Sequence, residues 1–198
     1  MNLLLNKTQD RIPHRTLPRF LRGVTLLELM VIITIASIIM ISSGYTFTSS
    51  NQNQLGQQLA TQLSAALRYA RSQAIYLGAG VSVCPASSTA LNACSTSTTA
   101  WSNGWIVFTD YNNDGVINTT GGTDTILQVF PMQGKNSNMT STISGAFASY
   151  ASFGTNGIPI ANKQISVSIK PTGCTGNYGR TVYLTAAGRV IIANATCP

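Results

Sequence analysis

Between Val24 and Ile41 the chain is an apolar run that carries one charge, Glu28. Continued to Gly44 as a helix, at 1.5 Å per residue, it spans about 30 Å, one hydrocarbon thickness. Lys7, Arg11, Arg15, Arg19 and Arg22 precede it, with only Asp10 against them. Basic residues on that side alone place the N-terminus in the cytoplasm and the rest of the chain across the membrane. These five account for most of the formal net charge of +7, because beyond Val24 seven basic residues face four acids. The basic balance therefore belongs largely to the N-terminal segment and does not by itself imply nucleic acid.

An ionised carboxylate within an apolar helix costs about 2.5–3.5 kcal/mol and needs a partner. If the chain is cut after Gly23, the new α-amino group on Val24 lies four residues from Glu28. The amine of a neighbouring subunit is the other candidate. The alternatives are a removable secretory signal, against which the glutamate and the lack of a convincing small-residue cleavage motif soon after the run both argue, and a plain signal anchor. Arg22-Gly23 followed by Val24-Thr25-Leu26-Leu27-Glu28-Leu29 resembles the prepilin signal of the type IV pilin and type II secretion pseudopilin superfamily. The resemblance implies cleavage after Gly23 by a prepilin peptidase, N-methylation of Val24, and a docking role for Glu28. It also implies other minor and major pilins or pseudopilins, an inner-membrane assembly platform and membrane lipid as partners. The first mature residue, usually phenylalanine, is valine here, and the leader is long.

Leu55, Leu59, Leu63, Leu67, Ala70 and Ala74 recur at helical spacing, with Gln57, Gln58, Gln62, Arg68 and Arg71 off the stripe. Gly44 and Gly56 are points where a helix could bend, and Gly78 is a stop signal. Beyond Val81 short β-branched or alternating runs are broken by glycine, asparagine and proline. The predicted strands are Val81–Cys84, Trp105–Thr109, Thr125–Phe130, Gln164–Ile169, Thr181–Thr185 and Arg189–Ala193, with 86–100 and 134–146 as loops. The expected fold is α+β: a long N-terminal helix, transmembrane then amphipathic, packed on one antiparallel sheet. Residues 1–23 form the leader, 24–44 the membrane helix, 45–78 its amphipathic continuation, and 79–198 a periplasmic β-rich domain.

Cys84-Pro85, Cys94, and the block Trp101-Ser102-Asn103-Gly104-Trp105-Ile106-Val107-Phe108-Thr109-Asp110 with Asn112 and Asp114-Gly115 resemble the GspH/FimT (FimU-like) family of minor pseudopilins and pilins. Leu184-Thr185, Gly188-Arg189-Val190 and the final Cys197 match its closing segment. The resemblance implies a structural subunit that helps initiate or cap a type IV pilus or type II secretion pseudopilus. Its alternative is a DNA-binding minor pilin for natural transformation, which implies a C-terminal Gly-Arg-x-Arg motif. Here the matching positions read Gly188-Arg189-Val190-Ile191. Arg180, Arg189, Lys163 and Lys170, with Tyr178 and Tyr183, are the candidate DNA-binding residues; the bland reading is a solvated strand edge on which basic residues discourage aggregation.

Four cysteines, Cys84, Cys94, Cys174 and Cys197, are an even number on an exported domain, which points to disulfides. Three connectivities are open; proximity in sequence favours Cys84–Cys94 with Cys174–Cys197. Zinc is the runner-up, weakened by the absence of any C-x-x-C spacing. Enzyme chemistry lacks its tools: the one histidine, His14, lies in the leader, and Glu28 is the one glutamate. No cofactor is expected. Asp110-x-Asn112-x-Asp114-Gly115 matches the opening of a calcium loop, but its twelfth position is Gly121, with Asp124 the nearby substitute. The competing reading is a turn in which Asp and Asn side chains bond the backbone.

Overall fold

The computed structural model describes residues 23–118, 124–132, 137–142 and 148–197, and no side chains at 41–49 or at 137. The leader before Gly23, Gly121, Pro198 and most of the 134–146 segment lie outside the described residues. The element order is α1 (Leu26–Leu77), β1 (Val81–Pro85), a 3-10 turn (Ala100–Asn103), β2 (Gly104–Thr109), β3 (Ile126–Pro131), β4 (Ser137–Ser141), β5 (Ala151–Phe153), β6 (Ser166–Pro171), β7 (Gly179–Leu184) and β8 (Val190–Ala195). The chain divides into two units, Met1–Ser42 and Ser43–Pro198.

In the first unit the described part of α1 is apolar and exposed, from Leu26 (78%) to Met40 (74%). Its polar side chains bond inward: Thr34 Oγ1 donates to the Val31 carbonyl at 2.8 Å and Ser37 Oγ to the Thr34 carbonyl at 2.7 Å. Among the described residues no helix is long and apolar enough to cross a membrane. The run continues in the sequence into 41–49, whose side chains are outside the description.

In the second unit, α1 buries Leu59, Leu63, Ala66, Leu67, Ala70 and Ala74, the stripe expected from the spacing. It ends at Leu77, followed by Gly78 at φ 61°, a left-handed conformation that glycine adopts without a Cβ clash. The β part is two antiparallel four-stranded sheets, ordered β3-β2-β1-β5 and β4-β6-β7-β8, in place of the single sheet expected. One core joins the helix stripe to Val81, Val83, Trp105 and Val107 of the first sheet and Val167, Ile169, Val182 and Leu184 of the second. Each fully buried side chain of this size contributes about 1.5–3 kcal/mol.

The period of two puts the alternate residues Cys84, Ile106 and Phe108 on the other face of the first sheet, under Leu91, Cys94 and Ile117. The Cys84–Cys94 bridge closes that cover, and Cys174–Cys197 ties the β6–β7 loop to the segment after β8. Strand β4 corrects the expectation that 134–146 is a loop. Its Ser/Thr-rich sequence hides the signal, but Met139 is fully buried and the strand pairs with β6, Met139 opposite Ile169.

Candidate functional site

The N-terminal end of α1 is built by Thr25, whose hydroxyl accepts the Glu28 backbone N–H at 3.2 Å, while its carbonyl accepts that of Leu29 at 3.1 Å. Thr25 is thus an N-cap, and Thr25-x-x-Glu28 is the spacing of a capping box. Glu28 in the first turn places a negative charge where the helix dipole favours it. Gly23 and Val24, the expected processing positions, lie just before the cap and are exposed, as is Glu28.

On the second unit the aspartates gather in one loop that follows β2. Asp110 is fully buried. Its Oδ2 accepts Ser82 Oγ at 2.6 Å and the Gly115 N–H at 3.0 Å, and its Oδ1 accepts the Asp114 N–H at 3.1 Å. Asp114 Oδ1 accepts the Val116 N–H, and its Oδ2 accepts the amides of Asn112 and Asn118. Asp124 accepts the N–H groups of Tyr111 and Asn118. Every one of these carboxylate oxygens therefore serves the loop's own donors. Gly115, at φ 77°, lets the turn press against the Tyr150 ring. Burial pushes the Asp110 carboxyl above its ordinary value, although Ser82 and the Gly115 and Asp114 amides pull the other way. At Asp114 a small burial effect is outweighed by the Val116, Asn118 and Asn112 hydrogen bonds and by the charge of Lys163, so its pKa is lowered. The calcium candidates Asp110, Asn112 and Asp114 form an Asx-type turn, and among the described residues no group of three or more His, Cys, Asp or Glu side chains converges as a metal site.

The four basic residues singled out for DNA fall in separate surroundings. Lys163 lies with its Nζ 4.4 Å from the centroid of the Tyr150 ring and donates to the Tyr150 hydroxyl. Arg180 on β7 reaches α1, its Nε donating to Gln57 Oε1 at 2.6 Å and its Nη1 to the Tyr178 and Gly179 carbonyls. It lines a polar cavity of about 480 Å³ with Ser50, Asn53, Gln54, Gln57, Thr175 and Tyr178. Lys170 follows Ile169, which pairs with Arg180, so Lys170 falls on the opposite face of that sheet.

Arg189 lines one cavity with two arginines whose sequence spacing marks them only as lying off the helix stripe. Arg68, Arg71, Ser72 and Ile75 of α1 and Gly188, Arg189 and Val190 line a cavity of about 540 Å³. Arg71 Nη1 donates to the Gly188 carbonyl at 3.0 Å. Gly188, at φ 74°, leaves room for this approach: a Cβ there would lie 3.3 Å from Arg71 Cζ and 3.2 Å from the Gly157 carbonyl oxygen. The i, i+3 spacing of Arg68 and Arg71 was legible; their meeting with a residue more than a hundred positions away was not.

Comparison with known proteins follows from this architecture. No curated protein matches the chain. Among solved structures, the type IV minor pilin FimU of Pseudomonas aeruginosa (strain PAO1) superposes with a TM-score of 0.50 at 20% identity, covering 77% of this chain and 99% of that one. The minor pseudopilin EpsH of the Vibrio cholerae Type 2 Secretion System gives 0.43 at 12% identity, covering 70% and 96%. At these identities the FimU likeness speaks for the fold alone, an α+β arrangement with antiparallel sheets. The family model described as type II transport protein GspH matches residues 59–191, from the buried half of α1 to the start of β8, and the chain belongs to that family.

Proposed function

We propose that this chain is a minor pilin or pseudopilin, a structural subunit that helps initiate or cap a type IV pilus-like or type II secretion filament. The observation that carries the reading is the exposed apolar stretch of α1 from Leu26 to Met40, with Glu28 in its capped first turn. A contiguous apolar surface of this extent calls for lipid or for other helices. The inward hydrogen bonds of Thr34 and Ser37 satisfy their hydroxyls within the helix, as an apolar medium demands.

In this reading the subunit waits in the inner membrane through residues 24–44, with its C-terminal domain in the periplasm. A prepilin peptidase removes the leader after Gly23 and the new terminus at Val24 is methylated. Glu28 then docks against a neighbouring subunit's amine, the apolar helix buries itself among its counterparts, and the β-rich domain makes lateral contacts. Its role is mechanical, in keeping with a family of structural subunits and with an exported part that holds no histidine. The N-terminus of the protein isolated from membranes tests this. A chain that begins with N-methylated Val24 is expected; an intact Met1, or a start far downstream of Val24, contradicts the reading.

A further inference from the structure

We infer that the groove between α1 and the β7–β8 turn binds carboxylates, and that its occupant is an acidic segment of a different protein subunit. Three guanidinium groups, of Arg68, Arg71 and Arg189, share one cavity whose described lining contains no acid. Arg71 is half-buried and held by the Gly188 carbonyl, so one of the three is already oriented. Arg68 and Arg189 are exposed. Ile75 and Val190 give the groove an apolar lining, suited to a peptide that alternates acidic and apolar side chains. Planar guanidinium groups take carboxylates in a bidentate fashion, which gives such a site geometric selectivity over a diffuse positive patch.

Two observations choose the occupant. A second copy of this chain is a poor donor: its second unit has only the aspartates Asp110, Asp114 and Asp124, of which Asp110 is fully buried and all three are held within one loop by hydrogen bonds from that loop or from Ser82. A nucleic-acid strand needs a track of phosphate contacts, and among the described residues the basic side chains do not line up into one. Arg180 is engaged with Gln57, roughly 16 Å along the helix axis from Arg68 at 1.5 Å per residue. Lys163 is turned to Tyr150, and Lys170 falls on the far side of its sheet. A compact site of three arginines fits a few carboxylates better than a polyphosphate backbone.

This inference rests on the filament-subunit reading only for where the occupant comes from; its test needs no filament. Full-length protein in detergent micelles would be titrated with a short labelled peptide alternating Glu with Leu, with its Gln counterpart, and with a short DNA duplex. The Glu peptide should bind saturably and at least about tenfold more tightly than the Gln peptide, weakening as salt rises. Arg68→Gln and Arg189→Gln should each weaken binding about threefold to tenfold, with Arg68→Lys and Arg189→Lys retaining more, and Arg180→Gln should leave it unchanged. Thermal midpoints equal to the parent's would show that the variants are folded. Equal binding of the Glu and Gln peptides, no binding of either, or equal losses at Arg180 would overturn the proposal. So would DNA binding more tightly than the Glu peptide through the same two arginines. An intact Met1 in the mature protein would instead remove the filament reading and leave the carboxylate site standing.

Discussion

Asp110 is the buried acid of the second unit, and its worth lies in the donors it satisfies. Replacing it with alanine strands Ser82 Oγ and the backbone N–H groups of Asp114 and Gly115. Asp110→Ala should cost about 1–3 kcal/mol, read from urea unfolding, since a buried donor without a partner carries its full desolvation penalty. Asp114, exposed and joined to Asp110 through its own backbone N–H, acts through pH. Its pKa in the folded protein lies below the ordinary 3.8, so its contribution is present above that value and lost as pH falls through the folded one. Asp114→Asn should therefore flatten the acid-side fall in stability below about pH 4, and an unchanged slope would contradict this account. Gly188 makes a third case. An alanine there must hold φ near 74° while its Cβ sits 3.2–3.3 Å from Gly157, Pro159 and Arg71. A loss of about 1–2 kcal/mol is expected from the left-handed conformation, more if the turn cannot shift.

At the scale of elements, α1 holds the two sheets to one core. Leu63→Ala, at a fully buried position, should cost about 2–5 kcal/mol in the same unfolding measurement; a loss below 1 kcal/mol would mean that the helix stripe is not the core it looks to be. The helix, its stop before Gly78 and six of the eight strands among the described residues were legible because their periods, 3.6 and 2, are written in apolar residues such as Leu59, Leu63, Val81 and Val83. Strands β4 and β5 were not. Ser137–Ser141 offers one apolar residue, Met139, and Ala151–Phe153 is only three residues long; both are specified by their pairing with β6 and β1 instead of by their own composition. The capping relation of Thr25 to Glu28 was present in the Thr-x-x-Glu spacing. The division into two sheets was beyond the reach of any local pattern, as was the convergence of Arg68 and Arg71 on Arg189. Both depend on contacts between residues far apart in sequence.

At the scale of the whole molecule, a disulfide-stapled β domain and an exposed apolar helix segment stand in one chain, and the proposed reading gives the second a partner of lipid or of other helices. Glu28 is where the two ideas of that helix compete. As a cap residue it contributes a few tenths of a kcal/mol to 1 kcal/mol through the helix dipole, in any setting. As a docking residue it is needed only when another subunit arrives. Sheared filaments and membranes from cells expressing the parent chain or Glu28→Ala separate these roles most directly. The account predicts the parent in both fractions and Glu28→Ala in the membrane fraction alone, with undiminished insertion. Glu28→Ala recovered in filaments at the parent's level would contradict it.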